Sequence, residues 1–278
     1  MNTNTLAITG GTSGIGLVTT KTLLSKGWRV ILLARNLRKA ETLKRLKHGK
    51  NLDIIACDLS SMNSVQEAAK QIMALDCQVD VLMNNAGAIF QRRETTEDGF
   101  EKTLAANHLG HFVLTLGALK KLLKSKTKII NISSSAHRIA LPDFEDLSWT
   151  KRKYSPIKAY ADSKLYNIYF TQGIHSRYFD SGVTSFALHP GAVKTNFASD
   201  TTGIYNILLN LISPFMISPE RGAETQTFLA ESSGLEKYSG RYFEKKALGK
   251  IAPEGKNQEN SEKLWKISEE LTQKWIQN

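Results

Sequence analysis

The chain has 278 residues, of which 41% are hydrophobic and 23% charged, and its formal net charge is +11. This balance is ordinary for a globular protein and allows one large α/β domain. The longest apolar stretch, residues 204–217, is shorter than a membrane span and carries two asparagines and a proline, which argues against a transmembrane protein.

The cysteines and the basic charge restrict the class of protein further. Cys57 and Cys77 form neither a CxxC pair nor a disulfide framework, so we expect a reduced, cytoplasmic setting. The strand-like residues 5–10 leave no room for a signal peptide. Several lysines fall within 120–126, at the end of a predicted helix, where cations complement the helix dipole. Without a basic stripe interleaved with aromatics, the charge does not predict a nucleic-acid partner.

Short β-branched or aliphatic segments alternate along the chain with longer helical patterns. The predicted strands are residues 5–9, 28–34, 52–57, 79–84, 127–133 and 183–188, with 240–243 as a possible seventh. The predicted helices lie near 15–26, 37–47, 62–75, 96–123, 157–180, 219–231 and 259–276. This alternation predicts an α/β fold with a doubly wound, mostly parallel sheet of about seven strands and helices on both faces. No Pro/Gly/Ser-rich linker divides the pattern, so residues 1–278 are expected to form a single domain.

A glycine-rich turn, TGGTSGIG (9–16), follows the first predicted strand. Gly10 suits a tight turn, Gly14 lets the backbone approach a pyrophosphate, and Gly16 lets the helix pack closely on the strand. Because free amide groups at a helix N-terminus favour an anion, the pattern predicts a dinucleotide site. A purely structural turn is the alternative, and the lack of GxxxxGK[ST] argues against a P-loop hydrolase.

The residue after the second strand indicates which dinucleotide binds. NAD sites usually place an acidic residue there, whereas this chain reads VILLARN (30–36) with Arg35 at that point. A guanidinium can hold a 2′-phosphate that a carboxylate would repel, so NADP(H) is favoured over NAD(H). Alternatively, Arg35 lies in a solvated loop without a ligand.

With NNAG (84–87) and YADSK (160–164) added to the glycine turn, the chain resembles the short-chain dehydrogenase/reductase family. The resemblance extends from Thr5 to about Phe243 and implies a Rossmann fold. NHLGHF (107–112), SSSAH (133–137) and AYADSKLYNIYF (159–170) are most similar to the retinol-dehydrogenase-like branch.

The resemblance also implies roles for particular residues. The catalytic residues would be Asn107, Ser134, Tyr160 and Lys164, with Asn107 holding a water in a proton relay. The cofactor contacts would be Gly10, Ser13, Gly14, Ile15, Gly16, Arg35, Asp58, Leu59, Asn85, Ala86, Gly87, Tyr160, Lys164, Pro190, Val193 and Thr195.

The spacing of Tyr160 and Lys164 indicates how a tyrosine could exchange protons near neutrality. At i,i+4 they share one helix face. Lowering a phenol pKa from about 10 to neutrality requires about 4 kcal/mol. A positive charge about 4 Å away supplies roughly that amount at an effective dielectric near 20, so we expect Lys164 and an oxidised nicotinamide to lower the pKa of Tyr160.

These features predict an NADP(H)-dependent oxidoreductase that transfers hydride between nicotinamide and a carbonyl or alcohol substrate. The resemblance implies that residues 198–217 form a flap over the substrate, and because this segment is apolar, a bulky, lipophilic substrate is expected. A core helix or a membrane-surface helix is the alternative for this segment. A catalytically silent dinucleotide-binding redox sensor and an NAD-preferring dehydrogenase of a small alcohol are the alternatives.

The remaining expectations concern metals, assembly and the end of the chain. His108 and His111 are spaced like a pair of metal ligands on a helix, but the sequence shows no HExxH pattern and no obvious third ligand, so we expect no metal site. The long helix bearing Tyr160 could mediate a homo-oligomer. A helical extension is predicted around 259–276.

Overall fold

Eight strands form one sheet at the centre of the computed structural model, which describes residues 3–46, 48–193 and 216–276. In chain order they are β1 Thr5–Thr9, β2 Arg29–Ala34, β3 Leu52–Ala56, β4 Val81–Asn84, β5 Lys128–Ile132, β6 Thr184–His189, β7 Arg241–Glu244 and β8 Ala247–Leu248. Their spatial order is β3-β2-β1-β4-β5-β6-β7-β8, and the pairs are parallel except for β7–β8. The predicted α/β fold is confirmed, with one short antiparallel strand beyond the expected seven.

Helices cover both faces of this sheet. They are α1 Gly14–Ser25, α2 Leu37–Glu41, α3 Met62–Met73, α4 Lys102–Leu104, α5 Gly110–Gly117, α6 Leu119–Ser125, α7 Pro156–Tyr178, α8 Pro219–Glu231 and α9 Gln258–Ile276. In β1, Leu6 and Ile8 pack in the core shared with α1 and α8, whereas Ala7 packs in the core shared with α3, α5, α7 and α9. Successive side chains of a strand point to opposite faces, so a strand buried on both is apolar throughout. Within the described ranges, no helix is long and apolar enough to cross a membrane.

Two predicted helices differ from the structure. The helix expected over 96–123 starts only at Lys102, because Gly99 has φ +89° and Glu101 caps the start of α4 with both carboxylate oxygens. A π-helical turn, Ala105–Leu109, then separates α4 from α5. The helix expected over 37–47 ends at Glu41 and continues as a 3₁₀ turn.

The strand order changes direction between β1 and β4. Leu6 in β1 is in register with Val30 of β2 on one side and with Val81 of β4 on the other. In open α/β sheets the ligand crevice lies beyond the carboxyl ends of the strands at such a switch. The glycine turn follows β1 and the NNAG segment begins at the end of β4, so both predicted cofactor segments meet there.

Candidate active site

The turn between β1 and α1 brings main-chain amides to this crevice. Gly10 and Gly14 have φ values of +68° and +51°, a region that disfavours side chains. A Cβ at Gly16 would lie 2.5 Å from the carbonyl oxygen of Gly10, so a side chain there would force α1 away from the strand end. Ser13 is the N-cap residue, yet among the described residues its side chain makes no capping bond, and the carbonyl of Ile15 accepts a 3.3 Å bond from α8. The first turn of α1 therefore fits an anionic pyrophosphate.

Thr9 connects this turn to the segment after β4. Its hydroxyl oxygen accepts hydrogen bonds from the main-chain N–H groups of Asn85 and Ala86, both at 3.0 Å. The Asn85 side-chain amide donates in return to the Thr9 carbonyl at 2.8 Å. From α8, Gln226 donates to the Thr19 hydroxyl of α1 at 2.6 Å. Sequence reasoning missed Thr9, although it directly precedes the glycine turn, and also Gln226, whose distance along the chain gave no signal.

The cofactor contacts predicted after β2 and β3 lie at the same edge of the sheet. Arg35 is exposed directly after β2, and Asn36 caps α2 by accepting from Lys39 N at 2.9 Å. Asp58 accepts from both the amide and the hydroxyl of Ser60, at 3.0 and 2.7 Å, which fixes its carboxylate. Leu59 is a buried core residue. Arg35 is therefore free to turn toward a ligand, whereas Asp58 is already oriented.

Ser134, Tyr160 and Lys164 come together where β5 ends beside α7. Ser134 follows β5, and its hydroxyl accepts from Ala136 N at 3.1 Å and hydrogen-bonds Tyr160. Lys164 lies one helical turn beyond Tyr160, with its Nζ 5.4 Å from the tyrosine ring centroid. The same Nζ donates to the Ile132 carbonyl at 3.1 Å, and Lys164 is only 2% exposed.

The acid–base properties of this group differ from the expectation for a tyrosine beside a lysine. Burial raises the pKa of Tyr160 to about 12, and its hydrogen bond with Ser134 opposes that rise. Burial lowers the pKa of Lys164 to about 8. The expected lowering of the Tyr160 pKa is therefore wrong for the protein alone, because desolvation of the phenolate outweighs the stabilising contacts.

Asn107 lies in the π-helical turn, and its side chain makes hydrogen bonds within the protein. Its amide nitrogen donates to the Ala88 carbonyl at 2.9 Å and to the Ser163 hydroxyl at 3.0 Å, while its Oδ1 accepts from Ala88 N at 2.8 Å. Gly87 completes this contact, because a Cβ there would lie 3.0 Å from Lys164 Nζ and 3.5 Å from Asn107 Oδ1. The group of Asn107 that remains for a proton relay is its main-chain carbonyl.

The segment after β6 runs toward the glycine turn. Pro190 follows the last residue of β6, and Val193 packs on α8, where a Cβ at Gly222 would lie 2.5 Å from Val193 Cγ2. Thr195 lies outside the described residues, as does all but the last two residues of the predicted flap, 198–217. The nicotinamide contacts expected of Pro190 and Val193 stay predictions.

The two histidines of the NHLGHF motif both make hydrogen bonds inside the protein. His108 bonds the hydroxyl of Ser268 in α9 at 2.8 Å, and His111 bonds the hydroxyl of Thr9 at 3.0 Å. Both are 1% exposed. In the part of the chain that the structure describes, no group of three His, Cys, Asp or Glu side chains is arranged to hold a metal ion.

The chain between Ser134 and Tyr160 forms a braced loop beside the site. Arg152 stacks 3.7 Å above the Trp149 ring and lies 3.5 Å from the carboxylate of Asp162, two residues beyond Tyr160. Asp162 also accepts from Leu141 N at 2.9 Å. The side chains of Ile139 and Leu141 are nevertheless 56% and 64% exposed. The loop thus presents apolar side chains from a backbone that is fixed to α7.

Comparison with known proteins agrees with this geometry. The family model described as short chain dehydrogenase matches residues 4–203. Mouse retinol dehydrogenase 13 is 37% identical over 96% of this chain and 83% of its own length, and human retinol dehydrogenase 12 is 36% identical over 96% and 85%.

Solved structures show the same fold. An uncharacterized protein from Mycobacterium paratuberculosis superposes with a TM-score of 0.80 at 30% identity, over 98% of this chain and 94% of its own. An NADPH-bound carbonyl reductase from chicken fatty liver superposes with a TM-score of 0.66 at 25% identity, over 87% and 96%. The match to mouse and human retinol dehydrogenases confirms the predicted similarity to the retinol-dehydrogenase-like branch.

Proposed function

The chain belongs to the short-chain dehydrogenase family and is an oxidoreductase, and on that premise we propose that it interconverts a lipophilic carbonyl compound and its alcohol with NADP(H). The observation that carries the proposal is the hydrogen bond between the half-buried side chains of Ser134 and Tyr160, beside the buried Lys164. In the reduction, Tyr160 Oη donates its proton to the substrate oxygen as that oxygen gains negative charge. The Ser134 hydroxyl donates a hydrogen bond to the same oxygen and stabilises the charge.

The dinucleotide would be held by groups at the carboxyl ends of β1, β2 and β4. The amides at the start of α1 suit its pyrophosphate, and Asn85 and Ala86 are fixed by Thr9 at the edge of the crevice. When bound, it supplies the hydride for reduction and accepts one in oxidation. Lys164, buried beside Tyr160, keeps a positive charge next to the phenol and donates its N–H groups.

The preference for NADP(H) rests on Arg35. Its exposed guanidinium follows β2 where an acidic side chain would favour NAD(H), and the chicken carbonyl reductase binds NADPH. We expect Arg35→Asp to reverse the ratio of kcat/KM for NADPH over NADH, because the carboxylate repels a 2′-phosphate. Arg38→Asp, at an exposed position in α2, controls for loss of local positive charge. An unchanged ratio in R35D would remove Arg35 from cofactor selection.

The lipophilic substrate is proposed from the braced loop and from the relatives. Ile139 and Leu141 expose apolar side chains after Ser134, and the similar mammalian proteins are retinol dehydrogenases. All-trans-retinal is therefore the first carbonyl compound to test, alongside small polar ketones. A preference for the polar ketones would defeat this part of the proposal.

The reaction itself is tested by Tyr160→Phe with NADPH and the best carbonyl substrate. Loss of the phenolic proton donor should abolish most turnover while NADPH binding persists, since the phenyl ring keeps the packing. Tyr166→Phe is a matched control, because it removes a buried tyrosine hydroxyl from the same helix six residues beyond Tyr160. Retention of most turnover by Y160F would overturn the proposed mechanism.

A further inference from the structure

His111 connects the catalytic asparagine to the dinucleotide turn. It lies in α5, one turn after Asn107, and its Nδ1 is 3.3 Å from the Asn107 carbonyl oxygen. Its Nε2 is 3.0 Å from the hydroxyl of Thr9 at the end of β1. Neither the predicted acid–base group nor the predicted cofactor contacts include this histidine.

The partners of His111 determine which ring nitrogen carries its proton. A carbonyl oxygen can only accept, so Nδ1 must carry the hydrogen that bonds Asn107. Nε2 of the neutral ring is then an acceptor, and Thr9 Oγ1 donates its one proton to this nitrogen at 3.0 Å rather than to the more distant Met83 carbonyl at 3.5 Å. The same Thr9 oxygen accepts from the N–H groups of Asn85 and Ala86 at 3.0 Å each. The hydrogen bonds therefore form one directed chain from the segment after β4 to the Asn107 carbonyl.

The surroundings of His111 keep this chain in a single protonation state. Burial lowers the pKa of His111 to about 3, and the positive charge of Lys164 acts in the same direction. His108, which interacts electrostatically with His111, is also kept neutral, because burial lowers its pKa to about 3. The ring is thus neutral throughout the physiological range, and the direction of its hydrogen bonds does not change.

We propose that His111 is a positioning residue that holds the Asn107 carbonyl and, through Thr9, the Asn85–Ala86 backbone in one fixed arrangement. We call its hydrogen bond to the Asn107 carbonyl the Nδ1 arm and its hydrogen bond to Thr9 the Nε2 arm. The Nδ1 arm orients the carbonyl of the proton relay, and the Nε2 arm orients the turn that borders the dinucleotide. The first arm rests on the proposed function, whereas the second concerns binding of the dinucleotide alone.

Three substitutions separate the two arms. His111→Phe keeps a ring of similar size and removes both bonds. His111→Asn keeps a donor at the position of Nδ1, and His111→Gln keeps an acceptor near the position of Nε2. The measurements are the Kd of NADPH from protein-fluorescence quenching, the kcat for all-trans-retinal at saturating NADPH, and the Tm of each variant.

We expect H111F to lower kcat about tenfold and to raise the Kd of NADPH several-fold, because each arm loses a buried hydrogen bond. H111N should keep kcat near the wild-type value but bind NADPH more weakly. H111Q should show the reverse. A merely structural histidine would instead lower Tm in all three variants without this split.

His108→Phe is the matched control. His108 is equally buried, directly follows Asn107, and bonds α9 through Ser268 rather than the crevice. H108F should lower Tm while kcat and the Kd of NADPH stay at wild-type values. The proposal is overturned if H111F keeps both constants, or if H108F changes them as much as H111F does. If the wild-type protein reduces no carbonyl compound, the proposed function fails. The Kd values of NADPH for H111N and H111Q would still test the role of the Nε2 arm in binding the dinucleotide.

Discussion

Ser134→Ala should make Tyr160, the proposed base of alcohol oxidation, harder to ionise. The Ser134 hydroxyl hydrogen-bonds Tyr160 and lowers a phenol pKa that burial raises to about 12. Without that hydroxyl, burial acts on the phenol unopposed by this bond. The pKa of Tyr160 must then rise further.

The size of this effect follows from the strength of one hydrogen bond to a charged group. Such a bond contributes about 1.5–3 kcal/mol, which corresponds to a rise in pKa of about one to two pH units. Below the pKa, the ionised fraction falls tenfold per pH unit, so oxidation near neutrality should slow by about ten- to a hundredfold. Reduction at the same pH should slow by a similar factor, because the equilibrium constant is unchanged and a less acidic phenol is a weaker proton donor to the substrate oxygen.

The assay is a pair of pH–rate profiles, for retinol oxidation with NADP and for retinal reduction with NADPH. Ser134→Thr keeps a hydroxyl and should keep the wild-type profile. Ser135→Ala is a neighbouring control, because Ser135 makes its 3.2 Å bond to His189 through the main-chain N–H. An S134A profile that keeps the wild-type apparent pKa for retinol oxidation would refute the reasoning.

Three further substitutions test the support of the site. Gly87→Ala places a Cβ 3.0 Å from Lys164 Nζ, and should lower kcat about tenfold with little change in urea-unfolding stability. Burial raises the pKa of Asp162 to about 6, so the folded state binds this proton more tightly than the unfolded state does. The free energy of unfolding should therefore fall by up to about 3 kcal/mol as the pH rises from about 4 to about 6. Asp162→Asn should remove this pH dependence in urea titrations carried out at each pH. Trp265→Ala should cost about 3–5 kcal/mol in urea unfolding while leaving NADPH affinity unchanged. Trp265 packs on Gly173, Phe112 and Phe170, none of which is a predicted cofactor contact.

Most of the fold followed from hydrophobic pattern, and the failures have local causes. Strands such as β1 are apolar on both faces and short, so their bounds were predictable. The helix predicted over 96–123 failed because a helical pattern of apolar residues does not show that Gly99 adopts φ +89° or that Glu101 caps α4. β8 was missed because it has only two residues, which follow a turn where Lys245 and Lys246 both have positive φ.

The candidate site was predictable where its residues fall in short motifs. The glycine turn, the Tyr160–Lys164 spacing and Ser134 at a strand end each carry a local signal. Thr9 and His111 meet across about a hundred residues, and Gln226 reaches α1 from still further along the chain. The packing of α5 and α8 against β1 and α1 brings these groups together, and that packing is not encoded in any single segment.

Burial raises the pKa of Tyr160 and lowers that of Lys164, and the two shifts determine which form of each residue is present at neutral pH. With the phenol pKa raised to about 12 and the ammonium pKa lowered to about 8, the tyrosine is protonated at neutral pH and most of the lysine is charged. The proton that the proposed carbonyl reduction consumes is therefore already on Tyr160, whereas alcohol oxidation requires that this proton first be removed. A second positive charge about 4 Å away would contribute about 4 kcal/mol at an effective dielectric near 20, enough to offset burial. Ionisation of Tyr160 near neutrality must then depend on added positive charge, and we expect the rate of alcohol oxidation to rise toward alkaline pH.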